Sequence, residues 1–237
     1  TATATDAANN TDICTFTVTV TDNESPDITC PANITQTADA GVCGAIVTFA
    51  ASATDNCSAV VTYSQNPGTL FPVGSTTVTA TATDAANNTD ICTFTVTITD
   101  NENPTITCPT PANPYTVSSG CTWTGSGLAP VSIGDNCGTP ALSYSINGGA
   151  FVAGGANGYA FPIGTTGVVY KVTDASGNTT TCSFSITVQG VTVSGVINYL
   201  NTPLTSMNNV VVTLRQGTTD VYSATTNATG NYIITGV

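Results

Sequence analysis

Two kinds of residue in this 237-residue chain could do chemistry, and both recur in a fixed order. The first is carboxylate. "TDNESP" (residues 21–26) returns as "TDNENP" (residues 99–104), and a "DNC" triplet follows each, at residues 55–57 and 135–137. In a β-sandwich built from the intervening strands, the N-terminal end also carries the loop after the second strand. Asp22, Glu24 and Asp55 are therefore expected to converge, as are Asp100, Glu102 and Asp135. Hard oxygen ligands gathered at a junction between modules suit Ca²⁺, and no cationic side chain nearby neutralises them instead. The plainer alternative is a solvated acidic linker whose charge keeps the protein soluble.

The second kind is cysteine, nine in all, without a single histidine and without any Cys-x-x-Cys pair, a pattern that argues against a Cys/His zinc site. Widely spaced cysteines read instead as disulfides made in an oxidising compartment. Cys14 and Cys92 lie 78 residues apart, and so do Cys30 and Cys108, which defines a repeating unit. Cys14 matches the last cysteine of a unit, so its partner is expected upstream of Thr1. The turn signal "ADAG" (residues 38–41) would set Cys43 opposite about Gln36, which disfavours a bond between Cys30 and Cys43. Two connectivities stay open, Cys30–Cys57 with Cys43–Cys92 or Cys30–Cys92 with Cys43–Cys57. The second unit repeats the choice with Cys108, Cys121, Cys137 and Cys182.

The elements that position these groups follow from period-two alternation. Val78, Ala80 and Ala82 take one face and Thr77, Thr79, Thr81 and Thr83 the other; Phe94, Val96 and Ile98 then oppose Thr93, Thr95, Thr97 and Thr99. Between the two strands, "TDAANNTD" (residues 83–90) is a turn rich in Asn and Asp, so the pair forms a hairpin. Short strands, frequent turn signals and no helical periodicity predict tandem immunoglobulin-like antiparallel β-sandwiches arranged end to end. "TATATDAANNTDICTFTVTV" opens the chain and returns almost unchanged at residues 79–98, so the divisions read as 1–24, the closing hairpin of a truncated unit; 25–102 and 103–189, two units; and 190–237, the start of a different β domain. The second unit carries a glycine-rich insertion at residues 147–159, expected on the surface.

Composition excludes several functions. Lys171 and Arg215 stand against 14 carboxylates, for a net charge of −12, so nothing can cluster to displace counterions from nucleic acid or to hold anionic lipid. No apolar run is long enough to span a membrane directly, and an export signal is expected outside this segment. Without histidine, a Gly-x-Ser-x-Gly elbow or a phosphate loop, the chain is not expected to be an enzyme. Seven Asn-x-Ser/Thr triplets begin at Asn9, Asn23, Asn33, Asn56, Asn87, Asn178 and Asn227, a number that abundant Asn and Thr explain.

Asp-Asn-Glu-x-Pro, Ile-x-Cys-Pro, Gly-x-Cys-x-Ala-x-Val, Asp-Asn-Cys, Phe-Pro-Val-Gly, Thr-Asp-Ala-x-Asn-Asn-Thr and Cys-x-Phe-x-Val-x-Val occur in that order. This order resembles the hyalin repeat, or HYR, domain across residues 1 to about 189. The resemblance implies an immunoglobulin-like fold, an extracellular location and a link to cell adhesion. Trp123 departs from the pattern, where a small residue is usual. Residues 191–237 more weakly resemble transthyretin-like or carboxypeptidase-regulatory-like modules, and the combination is similar to giant surface adhesins of gliding Bacteroidota, which implies type IX export. The expected function is that of a mechanical spacer in an extracellular adhesin or surface filament. Its partners are unspecified extracellular ligands, its only cofactor Ca²⁺. Two alternatives are a fibre subunit whose neutral Thr faces pack on identical chains and a carbohydrate-binding module, the latter weakened by having one tryptophan.

Overall fold

The computed structural model describes residues 1–118, 120–200, 203–216 and 219–235, and every regular element among them is a strand. Packing divides the chain into two units, Thr1–Asp100 and Asn101–Val237.

In the first unit a separate hairpin of β1 (Ala2–Thr5) and β2 (Thr11–Cys14) comes first. Eight strands follow: β3 (Asp27–Thr29), β4 (Ile34–Thr37), β5 (Gly44–Val47), β6 (Ser52–Thr54), β7 (Ala59–Tyr63), β8 (Thr69–Pro72), β9 (Gly74–Asp84) and β10 (Thr89–Thr99). One sheet has the order β4-β10-β9-β7, while β5 pairs with β8 and β3 with β6. Alternation decides which side is core: Val78, Ala80 and Ala82 of β9 and Phe94, Val96 and Ile98 of β10 are buried, and their threonine neighbours are not. Val78, Phe94, Val96 and Ile98 form one core cluster with Ala45, Val47 and Phe71 of the β5–β8 pair, and Phe49 fills the middle edge-on to Tyr63, Phe71 and Phe94 at 5.3, 5.9 and 4.9 Å. The close approach of β5 and β8 needs Gly44, where a Cβ would stand 2.4 Å from the Phe71 carbonyl oxygen.

Two sequence expectations change here. The sheet is not wholly antiparallel, because β4 runs parallel to β10, with Ile34 opposite Val96. The hairpin expected around residues 38–41 does not form either: β4 joins β10 in one sheet and β5 joins β8 in another. Cys30 is bonded to Cys92, so it does not pair with Cys43, but the hairpin register that was expected to separate them is absent.

The second unit repeats the plan with β11 (Thr105–Thr107), β12 (Tyr115–Val117), β13 (Thr122–Thr124), β14 (Ser132–Gly134), β15 (Ala141–Ile146), β16 (Val152–Ala153), β17 (Ala160–Pro162), β18 (Gly164–Thr173) and β19 (Thr179–Gly190). Its main sheet is β12-β19-β18-β15-β16, again with one parallel pair, β12 with β19. Leu128, Phe161, Val168, Tyr170, Ile186 and Val188 form the core. The buried Tyr170 hydroxyl donates to the Leu128 carbonyl and accepts from the Ala156 amide. Ala156 lies in the glycine-rich insertion, so that insertion is not merely a surface loop. It supplies an edge strand, β16, and a fully buried core residue. Trp123 stacks on Tyr115 at 3.8 Å and leans on Phe161, which makes it part of the packing. Beyond β19, Val193–Val196 pairs with Asn231–Ile234 and Val211–Gln216 with Thr219–Thr225, both antiparallel.

The Asp/Asn turn is wired identically three times. Asp84 Oδ1 accepts the Asn88 amide at 2.7 Å and Oδ2 accepts Asn88 Nδ2 at 2.8 Å; Asp174 and Asn178 do the same, as do Asp6 and Asn10. The wiring lets Asn87 adopt φ 70°, a left-handed conformation that Asn tolerates better than most residues. Burial alone would raise the pKa of Asp84, but hydrogen bonds from the Asn88 side chain and the Asn88, Ala86 and Asn87 amides hold it below the ordinary value. Asp174 is lowered in the same way, its burial outweighed by Asn178 and the neighbouring amides. A carboxylate with a lowered folded pKa contributes stability that is complete above its unfolded pKa and is lost as pH falls through the folded one. The thermal midpoint should therefore hold steady above about pH 5 and decline below about pH 4. Asp84→Ala should start lower and decline less; an identical slope in wild type and variant would show that this turn does not hold its charge as described.

Candidate functional site

Three elements bring carboxylates to one end of the first sandwich. Asp22 comes from the segment before β3, Asp55 from the loop after β6, and Asp84 from the end of β9. One oxygen of each lies within 4.8 Å of the others. Local chain geometry fixes all three. Asp22 Oδ1 accepts the Glu24 amide at 3.1 Å, Asp55 Oδ2 accepts the Cys57 amide at 2.8 Å, and Asp84 is held by Asn88, whose Nδ2 also reaches the Asp22 carbonyl at 3.3 Å. The remaining oxygens, Asp22 Oδ2 and Asp55 Oδ1, are sealed from solvent with no hydrogen-bond partner of normal geometry.

Such an arrangement is electrostatically unfinished. Thr1–Asp100 contains no Lys or Arg. The two cations of the chain are engaged in the other unit: Arg215 Nε pairs with Asp220, and Lys171 Nζ lies 4.3 Å from the Phe151 ring centroid. Cys57 registers the negative field, because a hydrogen bond to Asp22 and then the charge of that carboxylate push its thiol pKa up. A thiol is a weak donor, and it leaves Asp22 Oδ2 unsatisfied in ordinary geometry. Orphaned oxygens in an all-carboxylate cradle suit a hard divalent cation such as Ca²⁺, which takes its ligands from oxygen. Asp22, Asp55 and Asp84 would hold it, and the ion would supply the positive charge that joins three separate chain segments.

The sequence-derived set is thus partly regrouped. Asp22 and Asp55 do meet, but the third carboxylate is Asp84. Glu24 turns to Asn56, whose Nδ2 donates to its Oε2 at 2.7 Å. Asp84 lies far along the chain from the other two, and its signal in the sequence is the "TDAANNTD" turn, which the strand order puts at the same end. Of the second set, Asp100 is a buried residue closing the first unit, while Glu102 is exposed and Asp135 half-buried in the second. Asp135 Oδ2 accepts the Cys137 amide at 2.9 Å, the counterpart of Asp55 with Cys57.

The disulfides choose between the open connectivities. Cys30 is bonded to Cys92 and Cys108 to Cys182, so Cys30–Cys57 with Cys43–Cys92 is excluded, together with its counterpart in the second unit. The other halves of the surviving scheme do not form. Cys57 and Cys121 are exposed free thiols, so Cys43 and Cys137, which are disulfide-bonded, do not have them as partners. Cys57 sits in the carboxylate loop leading to β7, and Cys43 immediately precedes β5. Cys121 Sγ instead lies 3.7 Å from the Tyr222 hydroxyl. Cys14 is likewise free and exposed.

The HYR domain model matches residues 21–98 and 99–188. The chain is 33% identical over 216 residues to hyalin of Strongylocentrotus purpuratus, covering 86% of this chain and 16% of that protein, and 33% identical over 209 residues to hyalin of Lytechinus variegatus, covering 85% and 38%. It is 31% identical over 177 residues to the Sushi, von Willebrand factor type A, EGF and pentraxin domain-containing protein 1 of Rattus norvegicus, covering 71% of this chain and 5% of that protein. It therefore spans less than half the length of each of these relatives. Among solved structures, Sidekick-1 immunoglobulin domains 1–5 are similar at TM-score 0.39 and 13% identity, over 90% of this chain and 53% of that one. Two consecutive family matches take in most of the sequence, and the chain belongs to the HYR domain family.

Proposed function

We propose that this chain is a spacer segment of a large extracellular adhesin or surface filament, in which disulfides keep each repeat closed under tension and Ca²⁺ stiffens the acidic end of the first. The observation that carries the reading is where Cys30–Cys92 sits. Cys30 precedes β4, and Cys92 lies in β10 just before the residues that pair with β4. Tension arriving from the N-terminal side meets Cys30, crosses the bond to Cys92 and leaves along the rest of β10. The residues between the two cysteines, which include β4 to β9, are off the load path. Cys108–Cys182 gives the second repeat the same bypass, with β12 inside the loop and its partner residues 188–190 of β19 outside it.

A family of extracellular adhesion-type repeat proteins supports the setting, and the disulfides fit an oxidising one. Calcium would add to the same end. By binding Asp22, Asp55 and Asp84 together it would fix the segment entering the repeat against the β9–β10 turn.

Each half of the reading has its own measurement. Replacing both Cys30 and Cys92 by Ser should lower the stability of the first repeat by about 4 kcal/mol in denaturant unfolding, the entropy of closing so long a loop. The Cys108–Cys182 repeat should unfold as before, and a loss below about 1 kcal/mol would remove the bond from its assigned role. For the ion, saturating Ca²⁺ should raise the melting midpoint of the first repeat, and excess chelator or Asp55→Asn should cancel the rise. At a hundredfold excess over Kd the stabilisation is about 2.7 kcal/mol. A midpoint indifferent to Ca²⁺ would leave the cluster as solvated acid.

A further inference from the structure

The two repeats differ at one sheet edge. In the second, the edge of β15 is covered: the Leu142 carbonyl accepts the Gly154 amide at 2.9 Å, and Tyr144 lies opposite Val152 of β16, a strand that the glycine-rich insertion supplies. The matching strand of the first repeat is β7. Val61 lies opposite Ala82 and Tyr63 opposite Ala80, as Leu142 lies opposite Val172 and Tyr144 opposite Tyr170, and Ala80 and Tyr170 each face the disulfide cysteine of the last strand. Here no insertion follows. Residues 64–68 lead directly to β8, and no strand among the described residues pairs with the outer edge of β7. That edge is nonetheless set to receive one. The Ser64 amide donates to the Thr79 carbonyl, and bonding positions alternate along an antiparallel pair, so Val60 and Thr62 bond to β9 while the main-chain groups of Ala59, Val61 and Tyr63 point outward.

We propose that this edge is where two copies of the chain join, β7 of one pairing antiparallel with β7 of the other about a two-fold axis at Val61. Three observations select a second copy as the occupant. The strand is self-complementary: with Val61 opposite Val61 of the second copy, the outward main-chain groups of Ala59 meet those of Tyr63 in both directions, a small side chain lies beside a large one on the half-buried face, and Val60 lies beside Thr62 on the exposed face. It is also unguarded. Residues 56–83 include no charged side chain and β7 contains no proline, so the devices that normally stop an edge strand from joining another chain are missing. Antiparallel pairing, finally, sets the acidic ends apart, because Ala59, which lies opposite Asp84, meets the Tyr63 end of the other copy.

The second repeat shows what the edge accepts. β16 is short and uncharged, and both of its side chains, Val152 and Ala153, stay exposed, so the seat recognises main chain and not a side-chain pocket. A β7–β7 pair is a longer version of the same contact. It is still a narrow interface, so a single pair associates weakly and reversibly. Each copy carries a net charge of −12, and association should therefore strengthen as salt screens the repulsion, the reverse of an interface made by ion pairs. The inference goes beyond the spacer reading and needs neither calcium nor tension on the disulfides.

The test is sedimentation equilibrium of the whole 237-residue chain, from dilute to about 1 mM, with any thiol-linked dimer, which survives denaturation without reductant, left out of the count. The expected result is a reversible dimer that tightens with salt. At high salt, where overall charge is screened, Val60→Asp together with Thr62→Asp sets like charges opposite one another across the pair and should weaken the dimer about tenfold, whereas Val60→Lys together with Thr62→Asp sets opposite charges there and should restore it. Both side chains are exposed, so each variant should melt like wild type when dilute, which separates loss of pairing from loss of folding. Register has its own readout: an equal mixture of Val60→Cys and Thr62→Cys chains should form a disulfide between positions 60 and 62 faster than either chain cross-links alone. Monomer at every concentration, a dimer held only by thiols, assembly that continues past the dimer, indifference to the Asp pair, or no preference for the cross-link between 60 and 62 would each overturn the proposal.

Discussion

One covalent constraint organises each repeat: a disulfide that joins the segment entering the sandwich to its last strand. Cys30 and Cys92 are far apart in sequence, yet their bond lies at the margin of the core. Without it, the ends of the repeat would be held by β4 against β10, a pair of only four residues on each side. Because that pair is parallel, opposite pulls on the two ends load its hydrogen bonds together and in the direction along which they slide. The disulfide removes β4 from this duty. The aromatic cluster around Phe49 then has only to keep the two sheets together, a task for which area and edge-on ring contacts suffice.

The acidic end follows from the same architecture. A sandwich that must join neighbours in series brings its entry segment close to loops from its own sheets, and here those loops carry Asp55 and Asp84 beside Asp22. A chain with net charge −12 has no spare cation to send there, so the oxygens that local turns leave over stay unsatisfied. The same shortage of Lys and Arg leaves the charge of these carboxylates without a side-chain counter-ion, which is why a divalent cation enters the proposal. The Asp84–Asn88 turn then has two roles: it closes the β9–β10 hairpin and it places the third carboxylate.

Much of this was legible in the sequence, for identifiable reasons. Alternation gave the buried faces of β9 and β10 because threonine and apolar residues differ sharply in hydrophobicity, and the 78-residue offset of the cysteines gave the repeat. The carboxylate cluster was half legible: Asp22 and Asp55 share short motifs, but Asp84 joins them only through sheet order, which sequence spacing does not encode. Glu24 lies close to Asp22 in sequence, but its flexible side chain accepts from Asn56 instead. Cysteine pairing was harder. Spacing narrowed eight residues to two schemes, of which the structure keeps Cys30–Cys92 and Cys108–Cys182 and leaves Cys57 and Cys121 as free thiols. The buried Ala156 in a glycine-rich stretch could not be foreseen, since its burial depends on the Tyr170 hydroxyl reaching that backbone.

Pulling single molecules by their ends, oxidised and then reduced, measures the constraint directly. With the disulfides intact, only residues 21–30 and 92–98 of the first repeat and 99–108 and 182–188 of the second lie on the load path, so each repeat should reach no more than about 60 Å. After reduction the two should extend to about 270 and 310 Å. Long extensions in the oxidised protein, or equal ones in both states, would contradict the claim that these two bonds carry the tension.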